Sequence, residues 1–420
     1  MFSLGLVFKM FWREFKAQRK RMFLTILAIV WGTMSITMLL AFGEGLRTSL
    51  AKNQKGLGEN IVIIWGGQTS KPYKGLPRGR RIRFEKEVID YLKQRIPEAK
   101  QIGGEYTRWG VTVANGKKMF NRMCNGVYPS YENMRNMIPQ SGGRFINDLD
   151  MENKRRVAFL GHELAADLFG ENMPVEKMVG RQIEINRNQF TVIGVMAEKM
   201  QMGMYSGPDW NRVIIPATTF EGIYGHRYMN NLVIQLHDTK HADWMEDRLV
   251  QELAGRYEFD PTDMSTVHVW NFVENVETMS KVMLGMQIFF GLIGGLTLLV
   301  AGVGVANIMY VAVKERTTEI GIKMALGAKK FQVMAQFILE ALLIACIGGL
   351  LGIAISFAIT GMMASVEFEN EALRWLGKPT ISGTIAIVTA SILGLIGIVA
   401  GFFPSRKAAS VNPVESLRYE

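Results

Sequence analysis

Four stretches of this chain, residues 22–43, 284–313, 341–366 and 383–403, contain no Asp, Glu, Lys or Arg. Each exceeds about 18 residues, the length at which an uncharged apolar run becomes a candidate to span a bilayer. A core helix of a soluble protein keeps one face for water, and these runs keep none over several turns. The expected fold is an α-helical membrane protein with four transmembrane helices, at 22–43, 284–313, 331–366 and 383–403. The first run is too long for a signal-peptide core, and Leu39-Leu40-Ala41-Phe42-Gly43 is a weak cleavage site, so it reads as an uncleaved anchor.

Orientation follows from basic residues in short loops, which stay cytoplasmic. Lys9, Arg13, Lys16, Arg19, Lys20 and Arg21 precede the first span. Lys314, Arg316, Lys323, Lys329 and Lys330 lie between the second and third, and Arg406, Lys407 and Arg418 follow the fourth. Segments 1–21 (a basic amphipathic stretch), 314–330 and 404–420 are therefore expected inside a cytoplasmic membrane, with both termini in the cytoplasm. The connection between spans three and four sets Glu367, Glu369 and Glu371 against Arg374 and Lys378, as an outside loop can. Segment 44–281 is then extracytoplasmic. The inside clusters account for the net charge of +10, which leaves no call for a nucleic-acid partner. Cys124 in the outside segment and Cys346 within a span cannot reach one another, so no internal disulfide is expected and Cys124 reads as a small buried hydrophobe.

Segment 44–281 alternates β-branched runs with helical stretches, the pattern of a large mixed α/β domain with its own core. Strands are expected at 60–65, 156–160, 182–186, 189–196, 212–215, 231–236 and 267–270, a hairpin at 108–114 with 118–127, and helices at 84–96, 163–169 and 242–256. Asn186-Arg187-Asn188 marks a turn. At its end, Phe272, Val276, Met279, Met283 and Met286 are spaced as a coiled-coil seam that runs unbroken into span two. A helix over 271–313 would be on the order of 60 Å long, about twice a hydrocarbon core. With Leu46 and Leu50 continuing span one, a paired stalk holding the outer domain off the bilayer is expected; the other reading packs this seam on the domain's own core.

Motifs for chemistry are weak. Residues 110–118 (GVTVANGKK) come nearest a phosphate loop but have one residue too many and no Ser or Thr after the lysine. His162-Glu163 begins a zinc-protease pattern that Ala166 breaks, and His237 and His241 have no third ligand nearby. Met200, Met202 and Met204 have the softness for Cu(I), although a flexible loop presenting apolar side chains to a partner is the commoner case. No catalytic, cofactor-binding or metal residue is assigned. Within the spans, Gly291 and Gly295, Gly348 and Gly352, and Gly397 and Gly401 make small-xxx-small pairs for close helix packing, and Asn307 and Gln336 can add interhelical hydrogen bonds. A polar conduit needs several intramembrane charges. Glu340 stands alone, expected near the cytoplasmic interface facing Lys329 or Lys330.

The cytoplasmic stretch 314–330 (KERTTEIGIKMALGAKK) places Glu319 and Lys323 one helical turn apart, predicting a short helix ended by Gly327. Ile320, Met324 and the pair Gly327-Ala328 are expected to present a small apolar patch amid charge, a knob for a partner's groove or an ordinary surface loop.

Residues 305–341 (VANIMYVAVKERTTEIGIKMALGAKKFQVMAQFILEA), the ending PSRKAASVNPVESLRYE and RMFLTILAIVWG at span one resemble the MacB/FtsX-like permeases of ABC transporters. So do LGENIVI, RRVAFLGHELAADLFG and GRQIEINRNQFTVIGV in the outer domain, which makes the resemblance nearly end to end. It implies a dimer of four-span subunits, homo- or heteromeric, and an outer domain of the MacB periplasmic type with a porter-like and a second lobe. It further implies that Glu315, Arg316, Glu319, Ile320, Gly321, Lys323, Met324, Gly327 and Ala328 form the coupling helix that docks on a cytoplasmic ATPase. ATP binding and hydrolysis would then move the outer domains through the stalk residues Leu46, Leu50, Phe272, Val276, Met279, Met283 and Met286, with no substrate threaded between the spans. Unlike MacB itself, no fused nucleotide-binding domain precedes span one, so the ATPase that binds ATP and Mg is expected on a separate chain. The expected function is a permease driving efflux or export from the periplasm, handing substrates to a periplasmic adaptor and outer-membrane duct. A lipoprotein-releasing permease and a non-transporting regulator of cell-wall hydrolases are the rivals.

Overall fold

The computed structural model describes residues 19–201, 203–238, 242–365 and 377–411. The chain parts into two compact units, one comprising residues up to Leu50 and from Ser280 onward, the other Ala51–Met279. Lys9, Arg13, Lys16, Met202, His241, Glu367, Glu369, Glu371, Arg374, Arg418 and the rest of the terminal PVESLRYE lie outside the described residues.

Helix α1 (Arg19–Lys55) carries the first uncharged run and continues beyond it. The outer unit then runs β1 (Ile61–Gly66), α2 (Glu87–Arg95), β2 (Ala99–Asn115), β3 (Lys118–Val127), α3 (Tyr131–Met134), α4 (Asp148–Glu152), β4 (Val157–Leu160) and α5 (His162–Phe169). It continues through α6 (Val175–Met178), β5 (Gln182–Ile185), β6 (Asn188–Val195), β7 (Arg212–Pro216), α7 (Ala217–Tyr224), β8 (Asn231–Leu236), α8 (Ala242–Tyr257) and β9 (Val267–Asn271). The strands form one nine-stranded sheet in the order β3-β7-β4-β6-β5-β2-β8-β1-β9, and β3 also pairs with β2. Strand β2 is therefore shared. Its C-terminal half closes a ring with β3, β7, β4, β6 and β5, and its N-terminal half joins the antiparallel set β8, β1, β9.

Local sequence explains these elements. IVIIW in β1 is a continuous apolar run and NLVIQL in β8 is buried throughout, Asn231 and Gln235 included, because both strands are flanked on each side and covered on both faces. QIEI in β5 alternates exposed and buried because one face meets water. Asn186 and Arg187 both take positive φ, 46° and 66°, between the paired Ile185 and Asn188, the geometry a two-residue hairpin requires. Strand β2 begins nine residues before the expected 108, because Gly103 and Gly104 disguise its first half. A Cβ on Gly104 would lie 1.9 Å from Met229 Sδ, so the strand needs glycine for its cover to close.

The membrane unit adds α9 (Phe272–Glu315), α10 (Thr317–Ala325), α11 (Lys330–Ser365) and α12 (Gly383–Ala409). Helices α1, α9, α11 and α12 are long and apolar enough to cross a bilayer. A Cβ on Gly348 or Gly352 would meet Ile29 Cγ2 at 2.7 Å or Thr33 Cβ at 2.8 Å, and one on Gly401 would meet Ala341 Cβ at 2.8 Å. Two of the three expected glycine pairs thus seat α11 against α1 and α12 against α11. The third does not: Gly291 and Gly295 have nothing within 4 Å, and α9 approaches α1 through Gly294, whose Cβ would fall 2.5 Å from Ile36 Cγ1. Asn307 is exposed and its side chain makes no hydrogen bond among the described residues, whereas Gln336 is engaged as described below.

In the membrane unit, Gln287 donates to Glu44 at 2.9 Å and Met283 is buried, while Leu46, Leu50 and Met286 are half-buried. In the outer unit, Phe272 is buried in the core with Val276 packed against it, and Met279 is half-buried. Phe272 and Val276, in the first turns of α9, thus pack on the outer unit's own core.

Candidate functional site

Two clusters concentrate charge where the fold is otherwise apolar. The first surrounds α10. Helix α9 stops at Glu315 because Arg316 leaves helical geometry (φ −102°, ψ 14°) and Thr317 turns its hydroxyl back onto the Lys314 carbonyl at 2.8 Å. Lys323 and Glu319 pair at 2.9 Å across one turn of α10. The helix ends in a Schellman motif. The Ala328 N–H bonds the Lys323 carbonyl at 3.0 Å, the Gly327 N–H bonds the Met324 carbonyl at 3.1 Å, and Gly327 takes φ +93°.

The apolar patch expected on Ile320 and Met324 is turned inward. Ile320 is 3% exposed, in one cluster with Met22, Val333 and Phe337, and Met324 packs against that cluster. The outward apolar ridge is Ile322 and Leu326, 45% and 84% exposed and one turn apart, with Phe331 also exposed beyond it. Gly321 is buried, Glu315 is exposed, and Arg316, Glu319, Lys323 and Ala328 are half-buried around the ridge. The reason is periodicity. Position 320 continues the face that Val313 buries, so helical spacing places 322 and 326 opposite.

Glu340 also differs from expectation. It does not face Lys329 or Lys330. It accepts from Arg316 Nη1 at 3.1 Å and from Gln336 Nε2 at 3.2 Å, and Lys323 reaches Gln336 Oε1 at 3.4 Å. Arg316, at the junction of α9 and α10, is thereby fastened to the N-terminal third of α11.

The second cluster lies in the outer unit, where Arg135, Lys199 and Arg212 meet Glu105 and Asp209, all buried or nearly so. Asp209 takes Arg212 at 3.0 Å, Arg135 at 3.1 Å and Lys199 at 2.9 Å. Glu105 accepts from the Tyr205 hydroxyl at 2.8 Å, Asn231 at 3.1 Å and Asn125, and lies 3.6 Å from Arg212. Arg135 also holds the Leu57 carbonyl where α1 has ended, and Gly203 lies beside Leu57, Trp270 and Phe272. Burial pushes the Lys199 ammonium down to about 8, with Asp209 opposing that fall. Burial alone would raise the Asp209 carboxyl, but Arg135, Lys199 and Arg212 outweigh it and hold it well below the usual carboxylate range. Every one of these groups has a partner, so the cluster is a fastening. It fixes the loop that sequence reading made flexible: Gln201 is buried, Tyr205 is half-buried, and Met204 faces out. No local pattern announces it, because Arg135 precedes Asp209 by 74 residues and Glu105 precedes Asn231 by 126.

The motifs set aside from sequence are placed plainly. Residues 110–118 are the β2–β3 hairpin, where a phosphate loop would need a helix to follow. His162 is half-buried at the start of α5, and burial lowers its basicity. Cys124 is fully buried, and burial pushes its thiol up.

Residues 22–252 match the family of MacB-like periplasmic core domains and residues 291–413 the FtsX-like permease C-terminal family. The chain is 31% identical over 408 residues to the macrolide export ATP-binding/permease protein MacB of Bdellovibrio bacteriovorus, covering 96% of this chain and 60% of that protein. It is 30% identical over 407 residues to the MacB protein of Chlorobium luteolum, covering 96% and 58%. A probable syringafactin export ATP-binding/permease protein, SyfD of Pseudomonas syringae, is 29% identical over 433 residues, covering 99% and 61%. The chain thus spans about 60% of the length of these curated relatives. Among solved structures, the periplasmic region of MacB from Actinobacillus actinomycetemcomitans superposes with a TM-score of 0.42 at 18% identity, covering 54% of this chain and 96% of that one. The extracellular domain of the transporter YknZ from Gram-positive bacteria gives 0.41 at 18%, covering 50% and 100%.

Proposed function

The chain belongs to the MacB/FtsX-like permease family, with the periplasmic core domain of one and the permease domain of the other, and we propose that it is the membrane subunit of an ABC exporter of that type. In this reading a cytoplasmic ATPase docks on α10, and hydrolysis there is transmitted through α9 and α1 to the outer unit, which acts on substrates already beyond the bilayer. Two copies of the chain, or this chain and a relative, would form the working dimer. An adaptor and an exit duct would take the substrate onward.

The observation that carries the proposal is the construction of α10. It is too short to span a bilayer, is packed by Ile320 into the helix bundle, and is braced to α11 by Arg316 and Glu340. It turns Ile322 and Leu326 outward within a ring of charge. An apolar ridge on a rigid short helix suits a groove on another protein, and the brace converts a push on it into movement of two spans. The scarcity of other charge within the spans supports transmission of force over conduction of a polar substrate.

The test uses the purified chain reconstituted with its ATPase partner. Reversing charge at Glu315 and Glu319 should abolish permease-stimulated ATP turnover while insertion remains intact; unchanged stimulation would count heavily against the reading. Thr318→Cys should resist membrane-impermeant maleimide in intact cells, since the reading places α10 in the cytoplasm.

A second reading, extraction of lipid-anchored substrates, is favoured by one feature. Leu24, Leu27 and Trp31 of α1 and Leu296 and Val300 of α9 line an apolar groove of about 750 Å³. Acyl chains fit such a lining, and a photoreactive fatty acyl probe that labels Trp31 in detergent-free membranes would support this alternative.

A further inference from the structure

Between β1 and α2 the chain runs from Gly67 to Phe84 without a carboxylate, and the run contains Lys71, Lys74, Arg78, Arg80, Arg81 and Arg83. It is a built arm. The Ile82 N–H bonds the Gly67 carbonyl at 3.0 Å, the Thr69 N–H the Arg80 carbonyl at 2.9 Å, and the Gly79 N–H the Thr69 carbonyl at 2.7 Å. Gln68 and Arg81 pair as an antiparallel bridge, and Tyr73 and Leu76 close the tip with reciprocal bonds of 3.1 and 2.8 Å.

Both sides of the arm are anchored to the same unit. Asp263 accepts from the backbone N–H of Ser70 at 2.6 Å and of Lys71 at 3.1 Å and from the Ser70 hydroxyl at 2.7 Å. These donors, with Ser265, hold its carboxyl well below the usual range against the opposing effect of burial. On the other side the Arg80 guanidinium bonds the carbonyls of Tyr257 at 3.3 Å and of Glu258 at the end of α8. Lys71 is used as well, its ammonium on the Thr262 hydroxyl at 2.8 Å.

Two of the six cations therefore fix the arm, and four remain outward. Alternation along the returning side turns Ile82 and Phe84 into the core and Arg81 and Arg83 to solvent, so the two side chains leave one face from backbone positions about 7 Å apart. Lys74 and Arg83 lie over the rings of Tyr73 and Tyr228 at 5.4 and 5.3 Å. Arg78 and Arg81 are exposed and have no carboxylate partner among the described residues. Self-repulsion along such an arm costs stability that a solvated loop would avoid by spreading. Anchoring holds the cations together instead.

We propose that this arm is a docking surface for an acidic face of a partner protein. Carboxylates on alternate residues of an extended segment repeat at the same spacing as Arg81 and Arg83, and guanidinium forks bind carboxylates in bidentate fashion. Pro72, Tyr73, Leu76 and Pro77 interleave the cations with apolar area, the mixture of Arg, Tyr and aliphatic contact that anchors protein interfaces. Guanidinium forks also bind phosphates, but a phosphate-bearing polymer has no use for that apolar area.

The experiment uses the full chain in nanodiscs of phosphatidylcholine and a fluorescent twelve-residue peptide with Glu at alternate positions, compared with the same peptide carrying Gln. Anisotropy should show the Glu peptide bound at least tenfold more tightly, with affinity falling as salt rises. Arg78→Glu with Arg81→Glu should remove at least tenfold of that preference without moving the melting temperature. If melting does move, the single exposed change Arg78→Gln decides by the same comparison. Equal binding of the two peptides overturns the proposal. So does tighter binding of polyphosphate, or of phosphatidylglycerol vesicles, that depends on the same arginines.

Discussion

Arg316 and Glu340 meet at 3.1 Å from 24 residues apart, and Glu340 is 1% exposed. One ion pair thus joins the corner where α9 passes into α10 to the interior of α11. A buried carboxylate is tolerable only with a partner, so the position of Glu340 in an otherwise uncharged helix is explained by the corner it holds.

Removing one side of this pair should be costly. Glu340→Ala leaves the Arg316 guanidinium half-buried with its carboxylate gone and is expected to destabilise the chain by about 3 kcal/mol. Replacing both residues with methionine should cost much less, since no charge is then stranded. Thermal unfolding in detergent across the four members of the cycle gives the coupling; additive losses would show that the pair is not a unit.

The two faces of α10 should separate stability from function. Ile320→Ala removes buried contact and is expected to cost about 2–4 kcal/mol. Leu326→Asp, at an 84% exposed position, should leave unfolding unchanged and remove stimulation of the ATPase partner. If Leu326→Asp stimulates as the wild type does, the ridge is not the docking surface.

Glycine substitutions should follow the helix approaches in the structure and not the sequence pattern. Gly352→Leu would force a side chain into Thr33 and Val30 of α1, and is expected to lower yield and melting temperature in detergent. Gly291→Leu meets open space in the chain and should be tolerated by the fold. Loss of dimer with fold retained in Gly291→Leu would identify that face as the contact between copies.

The contrast between these glycines illustrates what the sequence discloses. Periodicity and composition locate the apolar helices, the helix 317–325 and the strands other than the first half of β2 closely, because each depends on residues near in the chain. Which of several equivalent glycines meets a neighbour depends on helix rotation, and three-residue and four-residue spacings leave that open. The inward turn of Ile320 was legible in principle from the phase of Val313. The Arg316–Glu340 pair had a signal too, since one buried acid demands a base, but five cations in 314–330 compete for the role. The cluster around Asp209 had none. Its members converge through the shared strand β2 and the ring it closes, and only the assembled sheet brings them together.

That cluster should leave a signature in the pH dependence of stability. Lys199 titrates near 8 when folded, because burial outweighs the attraction of Asp209, and near 10.5 when free. Below about 8 both states are protonated and the penalty for burying the ammonium is complete. Between about 8 and 10.5 the unfolded chain binds more protons than the folded one, so this residue's contribution to stability improves as pH rises, by roughly 3 kcal/mol over the window. Asp209 acts at the other end: its folded carboxyl lies well below 3.8, so its contribution is present above that pH and is lost as pH falls below it. Tyr131 and Tyr205, raised chiefly by burial, oppose the alkaline gain once pH passes about 10. The comparison to make is therefore the wild type minus Lys199→Met, by denaturant unfolding of the full chain from pH 7 to 10. The wild type should gain on the variant through that range. A constant difference would mean that Lys199 keeps its proton in the folded protein and that Asp209 outweighs burial.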